Sequence, residues 1–345
     1  MKKKVFWAIF TLFLSALTIY ALFYSGGLSV SEFWQDVKSA SPVWLIPAAL
    51  CMLGFIFFEG RSLVLILRTL GYPAKKRRGF LYASADIYFS SITPSATGGQ
   101  PASAYFMRKD GISGAAITVS LILNLTMYTL SIITLGLFSI VFFPRVFMEF
   151  SLPCKIMILI GIAMMTLLTV FFILLLKKQT MLLKICGIFI SMLEKLKLKG
   201  AAQKFKGRVD NMMERYKECV SILSGKKSLL VKTYLLNILQ RAFQILVTVF
   251  CYYAMRGDIF RGMKVFAIQT YVVIGSNFIP IPGAIGISEF LMYFGYSELV
   301  GADAACSLAI LSRGISFYTC SIISIFTVIL GFILIQQKKN KEKTL

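Results

Sequence analysis

The sequence predicts an all-α integral membrane protein: six transmembrane helices plus two opposed re-entrant broken-helix hairpins, arranged as two inverted repeats. Three observations lead there. Of 345 residues, 57% are hydrophobic and only 15% charged, with a mean hydropathy of +0.77, which leaves too little polar surface to cover a water-facing globule. Several uninterrupted apolar runs reach the roughly 20 residues that span a bilayer. The formal net charge is +22, and the places where that charge collects along the chain indicate the topology.

Two features limit the chemistry. The chain has no histidine, which removes the commonest general base, the Ser-His and Cys-His nucleophile pairs, and histidine metal sites. The 7 cysteines are scattered singly, mostly inside apolar runs where the thiol acts as a small hydrophobe. No metal site and no cofactor is expected.

The spans follow in order. Lys2–Lys4 precede an apolar run from Val5 to Tyr24, which reads as a retained span rather than a cleaved signal because it is long for a signal core and lacks a clean cleavage site. A second run extends from Pro42 to about Leu67, crossing Glu59 and Arg61. Further spans are Gly114–Phe143, Ile156–Leu176, Leu229–Met255 and Ala304–Ile335. Two other apolar segments are broken. Gly79–Arg108 has Thr93-Pro94-Ser95-Ala96-Thr97-Gly98-Gly99-Gln100-Pro101 at its centre, and Lys264–Glu298 has Ile279-Pro280-Ile281-Pro282-Gly283-Ala284-Ile285-Gly286. Proline removes a helical donor and glycine weakens the helix, so each centre is expected to interrupt it. Irregular backbone at membrane depth is tolerated only against protein or a watery cavity.

Charge decides which segments cross. The insertion Lys177–Lys232 holds 14 Lys/Arg against 4 Asp/Glu, so the positive-inside rule puts it in the cytoplasm. It stays there only if Gly79–Arg108 returns to the side it entered from and Lys264–Glu298 re-enters from the other side. Both termini are then cytoplasmic, and the cytoplasmic segments hold 28 basic and 6 acidic residues. The basic excess orients the chain in the membrane and is not a nucleic-acid signal. The chain reads as a single membrane domain over residues 1–345, with a first repeat over 1–150 and an inverted second repeat over 151–337. The pairing is supported by Pro94-to-Asn124 and Pro282-to-Arg313 separations of 30 and 31 residues, and such repeats point to a transporter site near the midplane. An eight-span bundle with two proline kinks is the plainer alternative. Within 177–232, Phe205, Val209, Met212, Met213, Tyr216, Val220 and Leu223 recur at helical spacing, as in an amphipathic helix at an anionic membrane surface.

Ionisable groups inside an apolar layer are functional candidates by default. Glu59, Arg61, Asp86, Arg241, Glu289 and Arg313 are the charged ones, and Asn124, Asn237, Gln240, Gln244, Gln269 and Asn277 accompany them. Thr93, Ser95, Thr97 and Gln100 add hydrogen-bonding groups beside Pro94, Gly98 and Gly99, where a broken helix end suits a phosphate. Pro280, Pro282, Gly283 and Gly286 offer bare backbone. A phosphate is expected near the first break with Arg313 or Arg241, and a cationic head group near Glu289 or Asp86. Loss of transport with the fold retained is the expectation for Arg313→Ala and Glu289→Gln.

Ile92–Pro101 with Met107–Ile112 resembles the first signature of the lysylphosphatidylglycerol synthase transmembrane family, the membrane domain of the bacterial multiple peptide resistance factors. Pro280-Ile281-Pro282-Gly283-Ala284-Ile285-Gly286-Ile287-Ser288-Glu289 resembles the second, with Ala284 in place of the usual second glycine, and Arg313 fits the family's intramembrane arginine. The large soluble synthase domain of the full resistance factors is not expected in this chain. The resemblance implies a multi-pass protein of the bacterial inner membrane that flips a phospholipid or lipid-linked head group, including lysyl-phosphatidylglycerol, with a link to cationic-peptide resistance. Implied partners are anionic or aminoacylated membrane phospholipids, a separate synthase protein and further copies of the chain as a homo-oligomer; nucleic acid is not one. A lipid-modifying transferase acting with a separate catalytic partner, and an ion-coupled small-solute carrier, are the alternative classes.

Overall fold

The computed structural model describes residues 30–93, 96–195 and 199–344. The predicted span Val5–Tyr24, together with Pro94 and Ser95, lies outside the described residues. Within them, regular structure is helical: α1 (Val30–Ser39), α2 (Pro42–Thr69), α3 (Lys76–Ser91), α4 (Gly99–Lys109), α5 (Gly114–Phe142), α6 (Pro144–Glu149), α7 (Leu152–Lys177), α8 (Gln179–Lys195), α9 (Lys199–Ser224), α10 (Lys227–Ala254), α11 (Gly262–Ser276), α12 (Ile287–Val300), α13 (Ala302–Arg313) and α14 (Cys320–Thr344). Five stretches are long and apolar enough to cross a bilayer: α2, α5, α7, α10 and the continuous run Ala302–Gln337. The protein is therefore a multi-pass membrane protein, and these five match the predicted spans that fall in the described chain.

Local chemistry sets the ends. Proline stands in the first turn of α2, α6 and α7, where its missing N–H breaks no helical bond. Ser113 caps α5 by accepting from the Ala116 N–H at 3.3 Å, satisfying one otherwise unpaired donor. The last span departs from a plain helix. Gly314–Thr319 winds as a π-helix, a wider turn that recurs at functional sites. It follows Arg313, whose side chain is drawn inward, and the Thr319 hydroxyl donates to the Gly314 carbonyl at 2.8 Å.

The core runs between α2, α5, α7, α10, α11 and α12, with Ile56, Cys251, Tyr271 and Tyr296 fully or nearly fully buried. The most extensive helix pairing is α2 on α10. Close helix crossings need small residues, and α2 meets α3 at Gly60 and Gly79. A Cβ at Gly60 would lie 2.5 Å from the Gly79 carbonyl, and one at Gly79 would lie 2.4 Å from the Gly60 oxygen. Gly60→Ala is expected to lower stability by about 1–3 kcal/mol, the usual penalty for overpacking, read as a lower unfolding midpoint in detergent. An unchanged midpoint would mean that the crossing relaxes freely.

The two broken segments each fold back on themselves. Arg78 at the start of α3 pairs with Asp110 just beyond α4 at 3.2 Å, and Tyr82 also donates to Asp110. Likewise Tyr296 near the end of α12 donates to Gln269 of α11 at 2.9 Å and approaches the Val265 carbonyl at 3.4 Å. Lys264 of α11 pairs with Glu149 of α6 at 2.8 Å. The expected amphipathic stripe of the basic insertion lies on α9. Its Val209, Met213, Tyr216 and Leu223 are buried in a cluster that includes residues of α5, α7 and α10, and Tyr216 donates to the Leu175 carbonyl at 2.9 Å. This face packs on the protein's own helices rather than lying open on a membrane surface.

Candidate functional site

Two charged centres lie within the helical layer, one at each broken segment. The first forms where α2, α3, α4 and α10 meet. Glu59 on α2 is buried, and its carboxylate accepts from Gln240 Nε2 on α10 at 2.8 Å. Asp86 on α3 accepts from Gln100 Nε2 on α4 at 2.6 Å and from the Ser90 hydroxyl at 3.2 Å. The two carboxyl groups lie within hydrogen-bonding reach of each other, and the Arg241 charge acts on both. Gly99, the first residue of α4, lets Asp86 approach the helix N-terminus: a Cβ there would fall 1.9 Å from Asp86 Oδ1. That end of a helix carries positive character. The Thr93 hydroxyl shapes the break, donating to the Phe89 carbonyl at 2.6 Å and accepting the Gly98 N–H at 2.9 Å.

Arg241 is the unusual member. It is only 7% exposed, yet no carboxylate lies within 4 Å of it among the described residues. Its guanidinium sits 3.8 Å from the centre of the Tyr128 ring and 5.1 Å from that of Phe55, cation–π contacts that hold the plane without neutralising it. Nη1 donates to Gln244 at 2.5 Å, and Nε is buried without an acceptor. Asn277, at the end of α11, donates to the Tyr128 hydroxyl at 2.8 Å. Phe55 on α2, Tyr128 on α5 and Gln244 on α10 thus form the guanidinium seat, and Asn277 ties it to the second broken segment. Asp86, Ser90 and Gln100 are half-buried while Glu59, Gln240 and Arg241 are buried, so the centre opens toward the first break.

The second centre is closed on itself. Arg313 Nε donates to Glu289 Oε1 at 2.8 Å and Nη2 to the Gly283 carbonyl at 2.9 Å. The Gly286 N–H donates to Glu289 Oε2 at 2.8 Å, so Glu289 caps its own helix while pairing with Arg313. The guanidinium also lies 4.5 Å from the centre of the Phe317 ring. Backbone φ is positive at Gly283, Ala284 and Gly286, at 60°, 52° and 87°. Ala284 thus adopts a left-handed conformation that disfavours a side chain.

A family model described as "Lysylphosphatidylglycerol synthase TM region" matches residues 8–324. The chain belongs to this family. The match takes in both broken segments and both charged centres. No curated protein matches the chain.

The structure groups the predicted residues in a way their order along the chain does not. Glu59, Asp86, Gln100 and Arg241 form one centre; Gly283, Gly286, Glu289 and Arg313 form the other, with Pro282 in the turn between α11 and α12. Arg61 is half-buried and forms no ion pair within 4 Å among the described residues. Thr97 and Gly98 shape the first break, with Thr97 exposed, and Pro280 precedes the second. Phe55 and Tyr128 were not foreseen: among the chain's many aromatic residues, nothing marks those that flank a guanidinium. Ser62 was also missed; it donates to Asn124 at 2.6 Å and accepts from Asn237 at 3.1 Å, a neutral polar cluster joining α2, α5 and α10.

Proposed function

We propose that the protein translocates the head group of a phospholipid, lysyl-phosphatidylglycerol included, between the leaflets of a bacterial inner membrane and so contributes to resistance against cationic peptides. The observation that carries this is Arg241: a buried cation with an unused donor, held by aromatic faces rather than by an adjacent carboxylate. A guanidinium donor left unpaired at bilayer depth is costly. A phosphodiester bound there restores charge-assisted hydrogen bonds worth about 1.5–3 kcal/mol each. Glu59 and Asp86 on the facing wall suit the cationic end of the same head group. Thr93, Thr97 and the Gly98–Gly99 turn guide its entry. Arg61 draws anionic head groups toward it.

The apolar half of a lipid has a neighbouring route. Ile132, Gly136, Ile162, Met165 and Ile274 line a crevice between α5, α7 and α11, and Met165 Sδ lies 3.8 Å from Asn277, one residue removed from the Arg241 seat. In this reading α3–α4 and α11–α12 are re-entrant hairpins entering from opposite faces, as parts of two inverted repeats over 1–150 and 151–337. The Arg78–Asp110 and Tyr296–Gln269 closures support such hairpins, because each segment starts and ends at one level. The Arg313–Glu289 pair with Pro280, Pro282, Gly283 and Gly286 braces the second hairpin. Both termini and the insertion 177–232 face the cytoplasm, and a separate synthase and further copies of the chain are its protein partners.

The test is reconstitution of the pure protein in liposomes with fluorescent lysyl-phosphatidylglycerol and phosphatidylglycerol, following each lipid between leaflets. A protein-dependent rate that varies with the head group is expected. Rates equal to those of protein-free liposomes for every lipid would end the proposal.

A further inference from the structure

We infer that Glu59 and Asp86 together hold one exchangeable proton that keeps the Arg241 centre electrically neutral, and that the charge of the moving head group decides whether this proton leaves or a second one joins it. The inference rests on the translocator reading and adds a means of drawing energy from a proton gradient.

Contact between two carboxyl groups is the first argument. Two ionised carboxylates repel at this range, and two carboxyl groups sharing a site cannot both ionise freely. Held side by side by Gln240 and Gln100 in the same buried centre, the two carboxyl groups are stable only with a proton on one of them. Asp86 already accepts from Gln100 and Ser90 and lies against the N-terminus of α4, so the negative charge is best placed there and the proton on Glu59. The groups facing the pair are Arg241 from α10 and the Cys320 thiol at the start of α14; Gln240, Gln100 and Ser90 are neutral. With one proton the pair carries one negative charge, which cancels the positive charge of Arg241 and gives the neutral state that a low-dielectric layer favours.

A second, independent observation points to a missing donor. The two amides that clamp the carboxyl groups each use their NH2 on a carboxylate. Gln240, only 1% exposed, leaves Oε1 buried without a partner, and so does Gln100. A buried acceptor left unpaired is costly. Two orphan carbonyl oxygens flanking two carboxyl groups form a site that lacks hydrogens, suited to hydronium, water or an alkylammonium group.

Charge conservation then sets the coupling. A head group with one net negative charge, such as phosphatidylglycerol, makes the occupied centre negative, and a second proton on the pair restores neutrality. Lysyl-phosphatidylglycerol, with one net positive charge, restores neutrality by displacing the resident proton to water on the side where the centre is open. The first lipid moves with a proton and the second against one.

The experiment uses the full chain in sealed liposomes containing a trapped pH-sensitive dye and either labelled lipid. One proton per lipid makes each pH unit a tenfold factor, so a two-unit gradient is expected to shift the leaflet ratio about 100-fold, in opposite directions for the two lipids. Where only one of them moves, its sign decides. Glu59→Gln leaves Asp86 as the one acid of the pair, able to take up a proton with phosphatidylglycerol but holding none to give up. The gradient dependence of lysyl-phosphatidylglycerol is therefore expected to vanish while that of phosphatidylglycerol persists. Wild-type flipping without proton movement or gradient dependence overturns the inference and leaves the translocator standing, whereas no flipping of any lipid removes both. The wild-type sign test holds even if the variant fails to fold.

Discussion

Arg241→Ala is expected to lower the rate of head-group translocation by about 100-fold, the equivalent of one or two charge-assisted hydrogen bonds at 1.5–3 kcal/mol each. The loss is specific to the seat. Phe55 and Tyr128 remain, but their ring faces attract a cation, so a phosphodiester has nothing to replace the guanidinium. Arg241→Lys is expected to recover only part of the rate: an ammonium cannot lie flat between two rings while also presenting a fork of donors. Both variants are to be measured in the liposome assay, with the amount of folded protein checked by size-exclusion profile. Arg241→Ala flipping at the wild-type rate would show that the phosphate binds elsewhere.

Arg313→Ala is expected to act on stability first, by about 3–5 kcal/mol, the usual result of removing one partner of a buried ion pair. The change strands Glu289, which is 3% exposed, and releases the Gly283 carbonyl. The fold itself is therefore at risk, which the sequence-based expectation for this variant did not include. Glu289→Gln keeps the cap on Gly286 and is expected to be milder. A double replacement by apolar residues of similar volume is expected to recover most of the loss, since well-packed hydrophobic side chains commonly match a buried pair. Unfolding midpoints in detergent separate these cases. A single Arg313→Ala variant as stable as wild type would show that Glu289 finds another partner.

Much of the architecture was legible because hydropathy and charge report directly on the bilayer. Span lengths follow from its thickness, and the breaks at 92–98 and 277–286 follow from proline and glycine chemistry. The pairing of charges was not legible. Glu59, Asp86, Glu289, Arg241 and Arg313 are five ionisable groups in one apolar layer, and their order along the chain does not say which meet. The sequence admitted a phosphate at either arginine; the structure occupies Arg313 with Glu289 and, among the described residues, places no carboxylate within 4 Å of Arg241. The α9 stripe shows the same limit, since periodicity reveals that a helix has an apolar face and cannot reveal what covers it. The π-helical turn at Gly314–Thr319 had no sequence mark, since its residues carry no proline and would fit a regular helix.

The pairing of α2 with α10 also bears on how the protein is made. Glu59 enters the membrane 181 residues ahead of Gln240, and at ordinary synthesis rates that interval is roughly 10 to 35 seconds. During this time α2 is held in the bilayer with an acid whose amide and arginine neighbours have yet to leave the ribosome, and Asp86 is the nearest early companion. Completion of the polar interior therefore waits for the second half of the chain. A nascent protein stalled before residue 240 would be an assembly intermediate with its buried acids still uncompensated, the form most exposed to membrane quality control.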